Sequence, residues 1–116
     1  WNPASGAAAV SELLSRGETF TALVASNDDM AIGAMKQLHD SGVITPDAVS
    51  VIGFDDVAIA PYMVPSLSSV RIPVTEMIKE TISRLIFMLD GREFKYQQTF
   101  SGELILRDSV IDGPHR

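Results

Sequence analysis

A chain of 116 residues, 46% of them hydrophobic and 21% charged, is long enough for one packed domain and too short for two. The net charge of -6 and the nine scattered Lys and Arg residues exclude an extended phosphate-binding surface, so no direct contact with nucleic acid is expected. The absence of cysteine excludes disulfides, thiolate metal sites and a cysteine nucleophile.

The chain begins with a helix and a short apolar strand. Residues 5–16 contain good helix formers between Ser5, which suits an N-cap, and Gly17, which suits a stop. Residues 21–25 follow as a short run of mostly apolar residues between polar segments. This pattern predicts a strand that is buried on both faces.

A second helix and a second strand follow in the same order. Residues 30–41 carry apolar side chains at helical spacing, with Asn27 or Asp28 as the N-cap and Gly42 as the stop. Residues 49–54 then predict another buried strand, which ends at a pair of acidic residues.

The second half of the chain is less regular. Two prolines and the lack of a clear period predict an irregular loop over 57–67. Pro73 suits the first position of a long amphipathic helix, which Gly91 ends. We expect short strands on either side of that helix, at 68–72, 99–101 and 104–107.

The order helix, strand, helix, strand predicts an α/β fold with a parallel sheet and flanking helices, because parallel strands need crossovers that cover the sheet. Such sheets bind ligands beyond the carboxyl ends of their strands. Asn27 follows the first strand and Asp55 follows the second, so both belong at that edge. We predict that these two side chains hold hydroxyl groups of a small ligand.

Each of these residues also has a plainer explanation. Asn27 can serve only as a helix cap, unless Asp28 caps the helix and leaves the Asn27 amide free for a ligand. Asp55 and Asp56 can be turn residues, or together they can bind a divalent cation. The cation alternative lacks the neighbouring Lys of a phosphoryl-transfer site, whereas a carboxylate at this edge accepts strong hydrogen bonds from hydroxyls.

No motif in the sequence indicates catalysis. There is no nucleophile elbow, Gly-rich phosphate loop or metal-binding helix motif, and His39 lacks a partner at metal-ligand spacing. No apolar run approaches the roughly 18 residues of a membrane span. We therefore predict a protein that is not an enzyme, needs no metal or other cofactor, and has no membrane partner.

Three segments, at 22–35, 49–56 and 65–73, carry a resemblance to a known family. They read ALVASNDDMAIGAM, VSVIGFDD and PSLSSVRIP. In this order and at these separations they resemble the lactose/galactose-repressor family of bacterial transcription regulators. The resemblance runs from residue 1 to about residue 109 and is highly specific.

The resemblance implies a periplasmic-binding-protein-like effector domain of two subdomains. Residues 1–70 and 99–109 would lie in the C-terminal subdomain, and residues 71–95 would cross to the N-terminal one. A helix-turn-helix that contacts operator DNA would precede this chain, which opens on Trp1 without an initiator Met. The crossing helix would expose its apolar stripe unless another segment or chain covers it.

By the same resemblance, Asn27 and Asp55 fall on sugar-hydroxyl contacts, and Trp1 falls on a position where an aromatic ring stacks on the sugar. Ile32 and Tyr62 fall on or near the interface of a homodimer. The implied protein is a cytoplasmic repressor in which a sugar or β-glucoside changes the affinity for operator DNA by allostery.

Two other functions are open from the sequence. A periplasmic sugar-binding protein of a transporter shares this fold and similar sugar contacts, but it has a signal peptide in place of the DNA-binding head. A metal-dependent or phosphoryl-transfer enzyme would instead use Asp28, Asp55 and Asp56.

Overall fold

A computed structural model of the chain describes residues 1–92 and 97–113. Its helices and strands, with one short 3-10 turn at Ala60–Tyr62, are in chain order α1 (Pro3–Ser15), β1 (Ala22–Val24), α2 (Asp28–Asp40), β2 (Ser50–Phe54), β3 (Ser68–Arg71), α3 (Val74–Leu89) and β4 (Glu103–Ile105). The strands form one sheet in the order β1-β2-β3-β4. The first three strands are parallel and β4 is antiparallel to β3, so the predicted α/β class with a mainly parallel sheet is confirmed.

The parallel register brings the carboxyl ends of the first three strands to one edge of the sheet, called the carboxyl edge below. Val24 of β1 pairs with Ile52 of β2, and Phe54 at the end of β2 pairs with Val70 of β3. The segments that follow β1 and β2 therefore emerge side by side at this edge, as the sequence predicts.

The close packing of α1 on α2 holds the first turns of both helices beside each other. Gly33 has no side chain where the carbonyl group of Pro3 approaches, and Gly6 has none where that of Met30 approaches. A Cβ atom at either glycine would overlap with the facing backbone oxygen, so a larger residue would force the helices apart. The start of α1 is thereby fixed against the first two turns of α2.

The hydrophobic core is built from small and aliphatic side chains of α1, α2, β2 and the loop before β3. Leu38 of α2 and Leu67 of that loop are completely buried. The core residues together are Val10, Ala25, Ala31, Ala34, Met35, Leu38, Val49, Val51, Ala60 and Leu67.

The first helix begins earlier than the sequence predicts. Ser5 is not the N-cap, because α1 begins at Pro3 and Asn2 is its N-cap. The Asn2 side chain accepts a hydrogen bond from the Ser5 N–H at 2.9 Å, and the Ser5 hydroxyl accepts one from the Asn2 N–H at 3.1 Å. Ser5 is thus the third helical residue of a reciprocal capping box, which residue type alone does not reveal.

The prediction that the first strand is buried on both faces is wrong. Ala22 and Val24 point to the same face of β1 and are exposed, Val24 to 81%, whereas Leu23 between them is partly buried. Only one face of this edge strand is covered by the described residues. Composition does not reveal this, because an apolar run carries no information about strand order or about what packs on each face.

The end of the chain differs in part from the prediction. The strand expected at 104–107 is β4, but residues 99–101 are not a strand. Residues 93–95, at the end of the expected crossing segment, lie outside the described residues.

The long helix α3 stands away from the rest of the described structure. None of its residues is buried, and its exposed large apolar side chains are Val74, Met77, Ile78, Ile82, Leu85, Ile86, Met88 and Leu89. The Cα radius of gyration is 18.2 Å, whereas a compact domain of this length has about 13 Å. The exposed stripe that the sequence predicts is therefore present. No described helix combines the length and apolar character needed to cross a membrane.

The segment after β4 returns to the sheet and is fixed there by serine hydroxyls. The hydroxyl of Ser109 donates to the Val51 carbonyl at 2.6 Å and accepts from the Ser68 N–H at 2.8 Å. The hydroxyl of Ser68 accepts in turn from the Arg107 N–H at 2.8 Å. Ser68 and Ser109 are completely buried, so water does not compete for these bonds. They fix the position of Arg107 relative to β2 and β3.

Candidate ligand-binding site

Asn27 caps α2 and keeps part of its side chain free. Its Oδ1 accepts a hydrogen bond from the Met30 N–H at 2.9 Å. Its Nδ2 has no hydrogen-bond partner among the described residues. The idea that Asp28 replaces Asn27 as the cap is therefore wrong. Asn27 instead caps the helix with its side-chain oxygen, and the two N–H donors of its amide stay free at the carboxyl edge.

Asp28 is buried because it ties three segments together. Its Oδ1 accepts from the Ser69 hydroxyl at 2.6 Å, and its Oδ2 accepts from the Val57 N–H at 2.8 Å. Gly53 makes room for this carboxylate, since a Cβ atom there would overlap with Oδ1. Asp28 is completely buried with both oxygens bonded, and it joins the start of α2 to β3 and to the turn after β2.

The turn over residues 55–57, called the 55–57 turn below, has an unusual backbone. Asp55 has φ 107° and Asp56 has φ 54°, a region that residues with a side chain rarely adopt. Its three successive N–H groups donate to fixed acceptors on β3 and at the start of α2, at 2.9, 3.0 and 2.8 Å. The backbone of this turn is thus held in place by both of its neighbouring elements.

The carboxylate of Asp55 is left available by this turn. It accepts no hydrogen bond from the described part of the chain, and the residue is exposed. Partial burial of the carboxyl group raises its pKa, and the negative charges of Asp28 and Asp29 raise it further. A carboxylate in such surroundings is stabilised by donors that arrive with a ligand, and hydroxyl groups supply them.

The neighbouring carboxylate, that of Asp56, is fully occupied. Its Oδ1 accepts from Nη2 of Arg107 at 2.6 Å, and its Oδ2 accepts from Nε of Arg71 at 2.8 Å. Burial works against its charge, but the hydrogen bonds from Arg107 and Arg71 outweigh that effect and lower its pKa. We call Asp56, Arg71 and Arg107 the arginine clamp. The two adjacent aspartates therefore differ: one is bound within the structure and the other is open.

Trp1 precedes the cap of α1 and is 86% exposed. The start of α1 packs on the second turn of α2, where Pro3 approaches Gly33. No hydrogen bond or ring contact in the described structure joins Trp1 to Asn27 or Asp55. Asn27 and Asp55 follow strands at the carboxyl edge, whereas a contact of Trp1 with the same ligand stays a prediction.

The acidic residues at this edge do not fit a metal site. The oxygens of Asp28 and Asp56 are already bonded to hydroxyl, amide and guanidinium donors. Within residues 1–92 and 97–113, no group of three His, Cys, Asp or Glu residues is placed to hold a metal ion. The arrangement gives no support to the metal-dependent alternative.

Comparison with known proteins decides the family. A family model described as "Periplasmic binding protein-like domain" matches residues 2–110. The HTH-type transcriptional regulator AscG of Escherichia coli (strain K12) is 71% identical over 111 residues, which cover 96% of this chain and 33% of that protein. This chain belongs to the lactose/galactose-repressor family. It spans about a third of the length of this curated relative.

Solved structures of the family have the same fold. The crystal structure of the Escherichia coli transcriptional repressor ascG has a TM-score of 0.84 at 70% identity and covers 97% of this chain and 41% of that one. The crystal structure of the lac repressor dimer bound to operator and the anti-inducer ONPF has a TM-score of 0.90 at 27% identity, with coverage of 97% and 39%. The predicted periplasmic-binding-protein-like fold is confirmed.

The two residues that the family resemblance implies at a dimer interface lie on separate elements. Ile32 of α2 is partly buried and packs against the core. Tyr62, in the 3-10 turn before β3, is 79% exposed, and Val64 close by in sequence is 95% exposed. Such large exposed side chains in one short segment are typical of a surface that another molecule covers.

Sequence reasoning missed the residues that hold the site in shape. Asp28, Ser69 and Arg107 come from distant parts of the chain, and no local pattern marks them as partners. One signal was available: the acidic pair Asp55-Asp56 after a strand calls for a positive partner for at least one carboxylate. Arg71 at the end of β3 and Arg107 just after β4 were the candidates for that partner.

Proposed function

We propose that this chain is the C-terminal, effector-sensing and dimerising part of a sugar-responsive transcriptional repressor. In this proposal residues 1–70 and 99–109 form one subdomain and residues 71–95 cross to a second. Two side chains support it: the open Asp55 carboxylate and the free amide of Asn27 both lie at the carboxyl edge of a parallel sheet, in a chain of this family. A helix-turn-helix head elsewhere in the longer protein contacts operator DNA.

The ligand class follows from the chemistry of these side chains. Asn27 offers donors and Asp55 offers a charged acceptor, which together suit the vicinal hydroxyls of a neutral sugar or β-glucoside. The exposed indole of Trp1 suits the apolar C–H face of a sugar ring. The net charge of -6 makes a phosphorylated or otherwise anionic ligand unfavourable at this edge.

The mechanism is a shift between two states of the intact protein. A sugar bound between the subdomains stabilises one degree of closure, and the homodimer passes that bias to the DNA-binding heads. The change in operator affinity is limited by the difference in sugar affinity between the two states. A homodimer through the surface of Ile32 and Tyr62 is consistent with the lac repressor dimer to which the fold is similar. Such a repressor acts in the cytoplasm.

The competing function is a periplasmic sugar-binding protein of a transporter. It would use the same edge of the sheet, but the identity of 71% to a transcriptional regulator favours the repressor. Sequencing the gene upstream of the codon for Trp1 distinguishes them. A helix-turn-helix there supports the repressor, and a signal peptide there refutes it.

Sugar binding is tested by thermal unfolding of the full-length protein with methyl β-D-glucoside, cellobiose, D-glucose and D-galactose. At a sugar concentration of about 100 times Kd, binding stabilises the folded state by about 2.7 kcal/mol, which raises Tm by several degrees. We expect at least one of these sugars to raise Tm, and magnesium to leave it unchanged. Stabilisation by none of the four sugars would refute the proposal, and stabilisation by magnesium instead would favour the metal-dependent alternative.

Sugar affinity is expected to fall as the solution becomes acidic. Ligand hydroxyls bind the ionised form of Asp55, whose pKa is raised by burial and by the charges of Asp28 and Asp29. As the pH drops through that pKa the carboxylate is protonated and its bonds weaken, and this begins at a higher pH than for an ordinary aspartate. Calorimetric titrations between about pH 7 and about pH 4 measure the effect.

The control for this pH dependence is Asp55→Asn, which has no carboxyl group to titrate. Its weaker sugar affinity should stay nearly constant over the same range. If the affinity of the unmodified protein were equally constant, Asp55 would not be the titrating contact.

A further inference from the structure

The arginine clamp joins the 55–57 turn to two separate segments of the chain. Arg71 is the last residue of β3, directly before the connection to α3, and Arg107 lies in the segment that returns after β4. Both reach the same carboxylate, that of Asp56, whose side chain is only 6% exposed. One buried carboxylate is thus bonded to the chain on either side of α3.

The arginine clamp binds the chain at a turn whose backbone angles are unfavourable. Asp55 and Asp56 both have positive φ, so the 55–57 turn is strained and persists only if its surroundings hold it. The N–H groups of the turn are held from β3 and α2, as described above. Among the described residues, Asp56 makes the only side-chain hydrogen bonds of the turn, and it makes them to charged partners on both oxygens.

Asp56 therefore differs in role from its neighbour. Its oxygens are occupied by Arg71 and Arg107, so it is not placed to contact a ligand. Any movement of Asp56 changes the direction of the Asp55 side chain, because the two residues are consecutive in a tight turn.

We propose that Asp56 is a positioning residue of the ligand site, and that Arg71 and Arg107 make the direction of Asp55 depend on the position of the two segments that flank α3. This inference rests on the proposed function, in which Asp55 contacts the sugar. It adds a physical link between the ligand contact and the segments that cross between subdomains. Ligand binding and subdomain position then influence each other through one buried carboxylate.

The test uses Arg71→Gln in the full-length protein, because Arg71 is half exposed and its loss is compatible with folding. Without ligand, we expect amide hydrogen exchange at residues 55–57 to become about tenfold faster or more. With the sugar that raises Tm most, we expect affinity by calorimetry to fall about 3- to 10-fold. The matched control is Arg16→Gln, which breaks an exposed ion pair with Glu12 on α1 and should change neither quantity.

A second measurement separates positioning from general loss of stability. In an Asp55→Asn background, Arg71→Gln should lower sugar affinity no further, because its effect passes through the Asp55 carboxylate. Unchanged exchange at residues 55–57, unchanged sugar affinity, or an equal loss of affinity in the Asp55→Asn background would each overturn the inference. If the unmodified protein bound none of the sugars, the proposed function would fail, and faster exchange would still support the clamp as the support of the turn.

Discussion

Replacing Asp55 with alanine is expected to weaken sugar binding by about 10- to 150-fold. The Asp55 carboxylate is the open charged acceptor at the carboxyl edge, and hydrogen bonds to a charged group contribute about 1.5–3 kcal/mol. Operator affinity without sugar should change less than about twofold, because the Asp55 side chain bonds to no other described residue. Calorimetry with the stabilising sugar and anisotropy titration of labelled operator DNA measure the two affinities on the same full-length protein.

The matched control for this substitution is Asp47→Ala. Asp47 is an exposed aspartate in the loop before β2, at the opposite edge of the sheet, so its loss should leave sugar affinity unchanged. Asp55→Asn should lie between the two, since an amide keeps one acceptor but loses the charge. A protein with Asp55→Ala that bound sugar as tightly as the Asp47→Ala control would show that Asp55 is not a ligand contact.

Replacing Asp28 with alanine is expected to lower the free energy of unfolding by about 2–4 kcal/mol. The change removes both acceptors of a completely buried carboxylate, and it leaves two donors, the Val57 N–H and the Ser69 O–H, without acceptors. Because Val57 belongs to the 55–57 turn, we also expect sugar affinity to fall. Urea unfolding followed by circular dichroism gives the free energy, and Asp28→Asn provides a milder variant if the alanine protein is poorly folded.

The adjacent residue offers the control for Asp28. Asp29→Ala removes a carboxylate from the same turn of α2, but Asp29 is exposed and makes no side-chain hydrogen bond in the described structure. Its loss should cost less than about 1 kcal/mol, because it removes a favourable interaction with the helix dipole and also the repulsion between Asp29 and Asp55. Equal losses of stability for the two substitutions would mean that the buried bonds of Asp28 contribute nothing.

The fold was largely predictable because its signals are local. The helical spacing of apolar residues predicted α2, and a short apolar run predicted β2. The alternation of helices and strands then indicated a parallel sheet. That sheet in turn placed Asn27 and Asp55 at a common edge, since each follows a strand directly. Gly91, with φ 76°, correctly marked the end of the long helix α3 because its backbone preference is intrinsic. Pro73 marked the start to within one residue, since it is the N-cap of α3 and not its first helical residue.

The shape of the site was not predictable, because its bonds join residues far apart in sequence. Asp28 and Ser69 are separated by 41 positions and Asp56 and Arg107 by 51, so no spacing rule connects them. For the same reason, the sequence could not decide whether Asn27 or Asp28 is the N-cap of α2. The choice depends on the Ser69 hydroxyl, the Val57 N–H and the gap that Gly53 leaves, which exist only in the folded chain.

The exposed face of β1 and the exposed apolar stripe of α3 have the same explanation. Both have the composition of buried elements, yet the described residues leave them uncovered. Sequence pattern reports that an element is suited to burial and does not report which segment buries it. In the proposed function, the other subdomain and the dimer partner supply those contacts.

In the proposed function, Asn27 and Asp55 hold the hydroxyl groups of a sugar at the carboxyl edge of the sheet. A crystal structure of the full-length protein with the sugar that raises Tm most tests it directly. We predict a sugar hydroxyl within about 3 Å of an Asp55 carboxylate oxygen and another within that distance of the Asn27 amide nitrogen. A sugar bound elsewhere, with both side chains free of it, would contradict the claim.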